Sequence, residues 1–326
     1  MKKIIWSSIL LLVAIGVAIW ASFDFKGFPI IAEEGNSMNK IINEDVSKIY
    51  LEIDNKPIEI TASNDENYYL DYTESKFLTT TYSFKDGELI LTQKQKRIFS
   101  IFNWGIQNHD KVTLKIPTKF SGELKGLSSN ASINATLSNT MEKIELKTSN
   151  AQINAKDFIS SSCDFQSSNG DVTIHNTSCL EGVLHVETSN SDVTVSDTNC
   201  PELVAESSNG NIVISHVKTN EITAETSNSS IEYYYNTANK IVAQTSNGRI
   251  NGSNNEIDVM QLTTSNSRVE LSLLGEINDY KLYAKTSNSS VEIGNSRFGN
   301  EVIIENDATK IVDIETSNGS ILVDFN

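Results

Sequence analysis

The stretch Ile222-Thr-Ala-Glu-Thr-Ser-Asn-Ser-Ser-Ile-Glu-Tyr233 places two runs of alternating apolar and polar residues on either side of Thr-Ser-Asn. The Ser-Asn pair recurs ten times in this frame, at Asn130, Asn150, Asn169, Asn190, Asn209, Asn228, Asn247, Asn266, Asn288 and Asn318. The spacing is 19 to 22 residues until a final gap of 30. A period of this length is typical of a solenoid, in which successive coils stack on one another.

Each repeat predicts two strands joined by a turn. The third residue after the asparagine is always β-branched and apolar, for example Ile231, and such residues favour strands. Apolar residues also stand six and four positions before it, as do Ile222 and Ala224, which is the period of two expected of a half-buried strand. By the same alternation, the Ser or Thr two positions before the asparagine points inward. The residue after the asparagine is always Gly, Ala or Ser, which fits a crowded corner.

We therefore expect an all-β, single-domain β-solenoid, a parallel β-helix of about ten coils of 19 to 22 residues. Strands in neighbouring coils lie about 4.8 Å apart, so the asparagines of successive coils would lie over one another. Each side-chain amide could then donate to the side-chain carbonyl of the next coil. The ten asparagines would form a structural ladder inside the solenoid, in the order of the chain.

Both ends of the repeat region are less regular. Residues 46–118 carry weaker strand patterns, which predict irregular first coils: Ile49–Ile53, Ile58–Thr61, Tyr68–Tyr72, Leu89–Thr92 and Val112–Ile116. An aromatic loop, Ile98–His109, interrupts them. The last 30-residue interval contains the extra apolar run Val302-Ile-Ile304, which predicts an additional hairpin that blunts the open edge of the stack.

The amino terminus predicts attachment to a membrane. Lys2 and Lys3 precede 18 uncharged, mainly apolar residues, 4–21, which is just long enough to span a bilayer. We expect a transmembrane anchor at 1–22, a linker at 23–45 and a solenoid at 46–326, of which 119–326 carries the regular repeats. Basic residues before the segment favour a single-pass protein of the cell membrane, with its carboxyl-terminal domain extracytoplasmic. A cleaved signal peptide is the alternative.

The charge of the chain argues against two classes of partner, and the sequence does not decide whether the cysteines form a disulfide. The formal net charge of −16 gives no electrostatic basis for binding nucleic acid or anionic lipid. Cys179 and Cys200 each follow their asparagine by ten residues and could pair on adjacent coils. Alternatively, all three cysteines, Cys163 included, are small buried residues.

The sequence contains none of the common catalytic or phosphate-binding motifs, so we expect no enzyme, no cofactor and no metal site. The outward position three before the asparagine reads Glu187, Glu206 and Glu225 on successive coils. This column is interpreted as a solvated face, with a weak Ca²⁺ or other cation site as the alternative. The four histidines, His109, His175, His185 and His216, are expected in surface or loop positions.

Exposed aromatic side chains are the best candidates for a contact surface. Phe99, Phe102 and Trp104 stand in the aromatic loop, and Tyr234 has the outward parity in its strand, whereas Tyr233 points inward. Aromatic groups at such positions suit glycan stacking or protein contact.

The run Val112-Thr-Leu-Lys-Ile-Pro117, followed by strand pairs around Ser-Ser-Asn and Thr-Ser-Asn turns, resembles a bacterial family of unknown function. These are the “putative adhesin” or toast-rack domains, which include LiaG-like membrane proteins. The resemblance covers about residues 46–326. It implies a non-enzymatic role at the cell surface, since many members are tethered by one helix and accompany envelope-stress signalling proteins. The family offers no agreed catalytic residues to carry over.

Three functions follow as hypotheses. The leading one is a membrane-tethered binding or accessory module that contacts a membrane protein or wall component, with envelope-stress sensing as its setting. The second is a surface adhesin or glycan-binding protein. The third is a carbohydrate-active β-helix enzyme, which would need carboxylates clustered with basic residues on one outer face.

Overall fold

The computed structural model describes residues 35–96 and 110–326. This part of the chain consists of 28 strands and one 3₁₀ turn, Ile277–Asp279, and contains no α-helix. The amino-terminal strands are β1 (Asn36–Ile42), β2 (Lys48–Ile53), β3 (Ile58–Ala62), β4 (Tyr68–Glu74), β5 (Leu78–Lys85), β6 (Glu88–Gln95) and β7 (Val112–Ile116).

The middle of the chain alternates strands before and after each Ser-Asn turn. These strands are β8 (Glu123–Ser128), β9 (Ile133–Thr136), β10 (Thr140–Thr148), β11 (Ile153–Ser167), β12 (Val172–Cys179), β13 (Val183–Thr188), β14 (Val193–Asn199), β15 (Glu202–Ser207), β16 (Ile212–Lys218), β17 (Glu221–Thr226), β18 (Ile231–Tyr234), β19 (Thr237–Thr245), β20 (Ile250–Ser253), β21 (Glu256–Thr264) and β22 (Val269–Leu273). The last strands are β23 (Tyr280–Thr286), β24 (Val291–Ile293), β25 (Ser296–Arg297), β26 (Glu301–Ile304), β27 (Lys310–Thr316) and β28 (Ile321–Phe325).

The strands form two parallel stacks, one on each side of the turns. The strands before the turns stack in the order β6, β2, β8, β10, β11, β13, β15, β17, β19, β21, β27 and β23. The strands after the turns stack as β7, β3, β9, β11, β12, β14, β16, β18, β20, β22, β28 and β24. The long strand β11 contributes to both stacks. The expected all-β, solenoid-like architecture is therefore present.

The order of the coils differs from the order of the chain at both ends. Strands β27 and β28 lie between β21/β22 and β23/β24, so the last coil in sequence is the second-last in the stack. At the other end, β2 and β3 lie between β6/β7 and β8/β9. The expectation of strictly serial stacking is wrong at these two places, because the repeat spacing does not specify which coil docks on which.

Antiparallel strands close both ends. Strand β5 pairs with β6, β4 with β7, and β1 with β4. At the far end β26 pairs with β23, and β25 forms a short hairpin with β24. Such strands shield the open edge of a parallel stack. Strand β1 lies within the segment 23–45 that was expected to be a linker, and the residues of β5 carried no recognised strand pattern.

The core lies between the two stacks and repeats from coil to coil. In one coil Ile222 and Ala224 of β17 and Ile231 and Tyr233 of β18 are fully buried. The intervening residues face outward, so the alternation follows the pattern read from the sequence. Burying one such aliphatic side chain contributes roughly 1.5–3 kcal/mol.

The proposed anchor, residues 4–21, lies outside the described residues, as does the aromatic loop with Phe99, Phe102 and Trp104. Within 35–96 and 110–326, no helix is long and apolar enough to cross a bilayer.

Candidate functional site: a polar groove beside the asparagine ladder

The ten asparagines of the turns are joined side chain to side chain in one line. Each Nδ2 donates to the Oδ1 of its neighbour across 2.7–2.9 Å. Asn55 extends the line beyond Asn130, which donates to it across 2.7 Å. In stack order the ladder is Asn55, Asn130, Asn150, Asn169, Asn190, Asn209, Asn228, Asn247, Asn266, Asn318 and Asn288. Unlike the expectation, the ladder is exposed and not inside the solenoid.

At nine of the ten turns, all except that of Ser128, the hydroxyl two positions before the asparagine is buried and donates to a carbonyl oxygen of the neighbouring coil. Thr226 Oγ1 donates to the carbonyl oxygen of Gly210 across 3.1 Å, and Thr245 Oγ1 donates to that of Ser229 across 3.1 Å. In the glycine corners the same hydroxyl also accepts a backbone N–H, as Thr245 does from Gly248 at 3.1 Å. These hydroxyls therefore fasten one corner to the next.

Glycine and serine alternate at the corner along the stack. In stack order the residue after the asparagine reads Ala131, Ala151, Gly170, Ser191, Gly210, Ser229, Gly248, Ser267, Gly319 and Ser289. A Cβ on Gly248 would lie 1.5 Å from the carbonyl oxygen of Ser229. Every second corner thus lacks room for a side chain. The alternation is regular only because the last coil inserts before the coil of Ser289.

A groove of about 490 Å³ runs along this side of the stack next to the ladder. It crosses five coils and has three parallel rows of residues, at one, two and three positions before the asparagines. The lining residues are Glu187, Thr188, Glu206, Ser207, Ser208, Glu225, Thr226, Ser227, Gln244, Thr245, Ser246, Thr263 and Ser265. The surface that it presents is polar and repeats at the strand spacing of about 4.8 Å.

The acidic column forms the outer row at one end of the groove. Glu187, Glu206 and Glu225 are direct neighbours in the parallel register of β13, β15 and β17. Carboxylates directly opposite each other on neighbouring strands repel. His185 faces the first two, with its Nε2 3.9 Å from Oε2 of Glu187 and 3.9 Å from Oε2 of Glu206.

Asp164 holds the other side of the His185 ring. Its Oδ1 lies 3.1 Å from His185 Nδ1, and its Oδ2 lies 2.7 Å from the ammonium of Lys147. Burial alone would raise the pKa of Asp164, but hydrogen bonds from His185 and Lys147 outweigh it and lower the pKa to about 2. The hydrogen bond with Asp164 raises the pKa of His185, against the opposing effect of burial.

The outer face changes sign along the stack. Lys125, Lys143 and Lys147 surround the buried carboxylate of Glu145 at 2.9, 3.2 and 3.4 Å. Burial would raise the pKa of Glu145, yet hydrogen bonds from Lys125 and Lys143 and the nearby charge of Lys147 lower it. The face is therefore basic before Asp164 and acidic after it, and His185 stands at the boundary.

A second column of special backbone geometry lies seven residues after the asparagines, within or just after the second strand of each coil. Its backbone is left-handed, with φ between 49° and 64°, at Asp157, Asn176, Asp197, His216, Tyr235 and Asn254. Tyr235, 56% exposed, stacks on His216 with ring centroids 5.1 Å apart and an interplanar angle of 12°. Tyr234, the expected contact residue, is half-buried and meets Tyr235 edge-on at 6.5 Å. Tyr235 is the more accessible aromatic, whereas Tyr233 is buried as expected.

The three cysteines, all within the described residues, are buried and unpaired, so the disulfide considered between Cys179 and Cys200 is not formed. Burial raises the pKa of the Cys200 thiol to about 12.

The pairing of Asp164 with His185 was not predicted from the sequence, although the repeat places the two residues in one column. Both residues stand five positions before an asparagine, Asn169 and Asn190, and therefore in one column. His185 is also two residues before Glu187, on the same face of the strand. Aligning this second column would have placed the histidine beside both carboxylates.

Several comparisons bear on the identity of the chain. No curated protein matches it. Among solved structures, a “putative lipid binding protein” from Parabacteroides distasonis is 14% identical, with 91% of this chain and 99% of that chain covered and a TM-score of 0.40. A “putative adhesin” from Parabacteroides merdae is 13% identical, with 91% and 98% covered and a TM-score of 0.39. Scores this low carry no argument about function.

The family comparison is decisive. The model of the toastrack family, described as Toastrack DUF4097, matches residues 46–186 and again residues 181–324. The two matches together span nearly all of the region that the repeats occupy. The chain therefore belongs to the toastrack DUF4097 family.

Proposed function

We propose that the protein is a non-enzymatic, membrane-tethered, extracytoplasmic binding or accessory module that contacts a membrane protein partner or a wall component along its groove. Its setting would be envelope-stress sensing. The observation that carries the proposal is the groove itself, a polar surface repeated over five coils. A repeated surface suits an extended partner, because successive coils each offer a polar outer-row side chain at the strand spacing.

The hydrogen bonding of the groove supports binding over catalysis. The Thr226 hydroxyl donates to the carbonyl of Gly210 and the Thr188 hydroxyl to that of Gly170, at 3.1 and 3.0 Å. Their protons are thereby committed to the backbone, whereas a nucleophilic hydroxyl gives its proton to a base. The role of these hydroxyls is to fix the corners.

Tethering is supported by the sequence. Residues 4–21 are uncharged and follow Lys2 and Lys3, which suits one membrane span with the solenoid outside the cytoplasm. A module held in this way meets its partner at the membrane surface, where the effective concentration of a second membrane protein is high.

The proposal is tested by crosslinking in cells, followed by gentle solubilisation and recovery of the protein. The informative variant carries Gln244→Arg with Thr263→Arg, which places two long cations in the exposed outer row of the groove. The matched control carries Thr194→Arg with Asn251→Arg on the outer face of the other stack. A specific membrane protein or wall fragment should be lost from the first variant and kept by the control. Equal recovery from both would contradict groove binding.

The second candidate, a surface adhesin or glycan-binding protein, is favoured by the stacked pair His216 and Tyr235, because exposed aromatic rings suit sugar faces. The test is retention on purified wall polysaccharide. Tyr235→Asn should abolish retention without disturbing the turn, since Asn176 and Asn254 hold the same left-handed position in other coils. Trp104→Ala tests the aromatic loop in the same assay. Retention that survives both changes argues against this candidate.

A further inference from the structure

Four side chains on the outer face meet where the basic and acidic parts of that face join. His185 and Glu187 stand two residues apart on β13 and share its outward face. Glu206 is opposite Glu187 in the register of β15, and Asp164 is opposite His185 in that of β11. Three separate coils therefore converge on one spot, and the parallel register fixes their spacing.

The free nitrogen and two carboxylate oxygens face one another. His185 Nε2 and one oxygen each from Glu187 and Glu206 all lie within 4.8 Å of one another. Zinc binds such ligands at about 2.0–2.2 Å, which in a tetrahedral site separates two ligand atoms by roughly 3.3–3.6 Å. The 3.9 Å distances from His185 Nε2 to each carboxylate are thus a few tenths of an ångström wider than a filled site. Both glutamate side chains are partly exposed, so rotation about their side-chain bonds can bring the oxygens closer to His185 Nε2.

The residues behind His185 are arranged as they are behind a histidine that binds a metal. Asp164 Oδ1 lies 3.1 Å from Nδ1 and accepts its hydrogen, which leaves the lone pair of Nε2 directed at the two glutamates. Gln166 Nε2 donates to the same carboxylate oxygen across 2.9 Å and keeps it in place. The ring is therefore oriented before any ligand arrives.

The charges also favour a cation. Among the described residues, the ion pairs to Glu187 and Glu206 come from His185, whereas Lys125, Lys143 and Lys147 pair with Glu145 and Asp164. When His185 is neutral, two adjacent carboxylates face each other with no cation between them, and a divalent ion would remove that repulsion.

We propose that His185 Nε2, Glu187 and Glu206 bind one divalent transition-metal ion, with Zn²⁺ as the best fit to one imidazole and two carboxylates. Asp164 acts as the positioning residue for His185. Three protein ligands leave a fourth position, where water or a ligand atom can bind. The site does not depend on the proposed partner, since metal binding is measured on the protein alone.

Isothermal titration of the full chain in mild detergent, after treatment with a chelator, tests the site with Zn²⁺. The wild type should bind one ion saturably. His185→Gln and Glu206→Gln should each weaken binding at least tenfold, and Asp164→Asn should weaken it roughly ten- to hundredfold because the histidine loses its orientation. Cobalt should give a visible absorption band in the wild type that both ligand variants lose.

Two matched controls make the result specific. Glu225→Gln removes the next carboxylate of the same column, and His175→Gln removes an exposed histidine that pairs with Asp197 at 3.2 Å. Both should bind Zn²⁺ as the wild type does. Unfolding temperatures measured with chelator present check that every variant folds. If His185→Gln does not fold, the Zn²⁺ affinity of Glu206→Gln tests the site instead.

Three results would overturn the site: no saturable Zn²⁺ binding, binding that His185→Gln leaves unchanged, or preferential Ca²⁺ binding that depends equally on Glu225. The last would show a purely acidic site without the histidine.

Discussion

Asn318 donates its side-chain amide to Asn266 across 2.7 Å, although 52 residues separate them and Asn288 lies between them in the chain. Asn288 in turn donates to Asn318 across 2.8 Å. The last coil is therefore held on both sides by earlier coils. Only this order of coils keeps both the ladder and the glycine–serine alternation continuous. The position of the last coil is therefore consistent with the side chains at the corners on both sides of it.

Removing the last coil should detach the one before it. A chain that ends at residue 309 lacks β27 and β28, which separate β21/β22 from β23/β24. We expect residues 280–304 to lose protection in hydrogen exchange, while 123–226 keep theirs, because solenoid coils depend mainly on their neighbours. Full protection of 280–304 in the truncated chain would mean that β23 can dock directly on β21.

An interior rung of the ladder should contribute more than the last one. Asn209 donates to Asn190 and accepts from Asn228, both across 2.8 Å, and it also donates to the Ser189 carbonyl oxygen across 3.4 Å. Among the described residues, the Asn288 side chain stands at the end of the ladder and donates to Asn318 alone. We expect Asn209→Ala to cost about 1–2 kcal/mol and Asn288→Ala about half of that, at 0.5–1.5 kcal/mol per hydrogen bond. Urea denaturation measures both. Equal losses would show that the exposed amides act independently of the ladder.

The glycine corners should not accept a side chain. A Cβ on Gly248 would lie 1.5 Å from the Ser229 carbonyl oxygen, so Gly248→Ala forces the two coils apart. We expect a loss of about 1–3 kcal/mol, as for other overpacked sites. Gly299→Ala is the control, since a Cβ there meets nothing within 4 Å. Comparable melting temperatures for the two variants would contradict the close approach.

The hydroxyl of Tyr233 should be dispensable. It is buried and has no hydrogen-bond partner within residues 35–96 and 110–326, and its ring lies where a Cβ on Gly252 would sit, 2.3 Å from Cζ. Burial raises the pKa of this phenol. A buried unpaired polar group costs about 1–3 kcal/mol, so Tyr233→Phe should leave stability unchanged or increase it. Marked destabilisation in thermal melts would show that the hydroxyl has a partner, such as a buried water molecule.

Stability in the absence of metal should depend on pH through His185. Asp164 raises the pKa of His185 in the folded state. The protonated histidine therefore stabilises the fold, and this contribution is fully present below the pKa of an unfolded histidine, about 6.5. That contribution is lost as the pH rises through the folded pKa. We expect the melting temperature of the wild type to fall more steeply between pH 6 and 8 than that of His185→Gln. Parallel curves would show that the ring is not coupled to Asp164.

The other partner of this pair titrates in acid. The pKa of Asp164 is lowered to about 2, so its contribution is present above its unfolded value of about 3.9 and is lost only as the pH falls toward 2. A carbon-13 NMR titration of this carboxyl group measures the midpoint. A midpoint near 4 would mean that Lys147 and His185 do not hold the charged form.

The sequence by itself determined the local structure of the coil. Strand positions, the inward parity of Tyr233 and the ladder spacing follow from a period of two inside a period of about 20 residues, and both are readable from neighbours in the chain. The strands at Ile49–Ile53 and Val112–Ile116 were predicted for the same reason and appear as β2 and β7.

Only the tertiary structure decided which coils are neighbours and which side chains meet across them. The insertion of β27 and β28 and the meeting of His185 with Asp164 and Glu206 bring together residues that are 21 to 52 positions apart in the chain. The exposure of the ladder likewise follows from how the coils pack. The strands of the regular coils have similar patterns of apolar and polar residues, so the pattern within one coil does not specify which other coil lies next to it. The selected order comes from long-range packing, in which small differences such as Gly319 against Ser267 determine the fit.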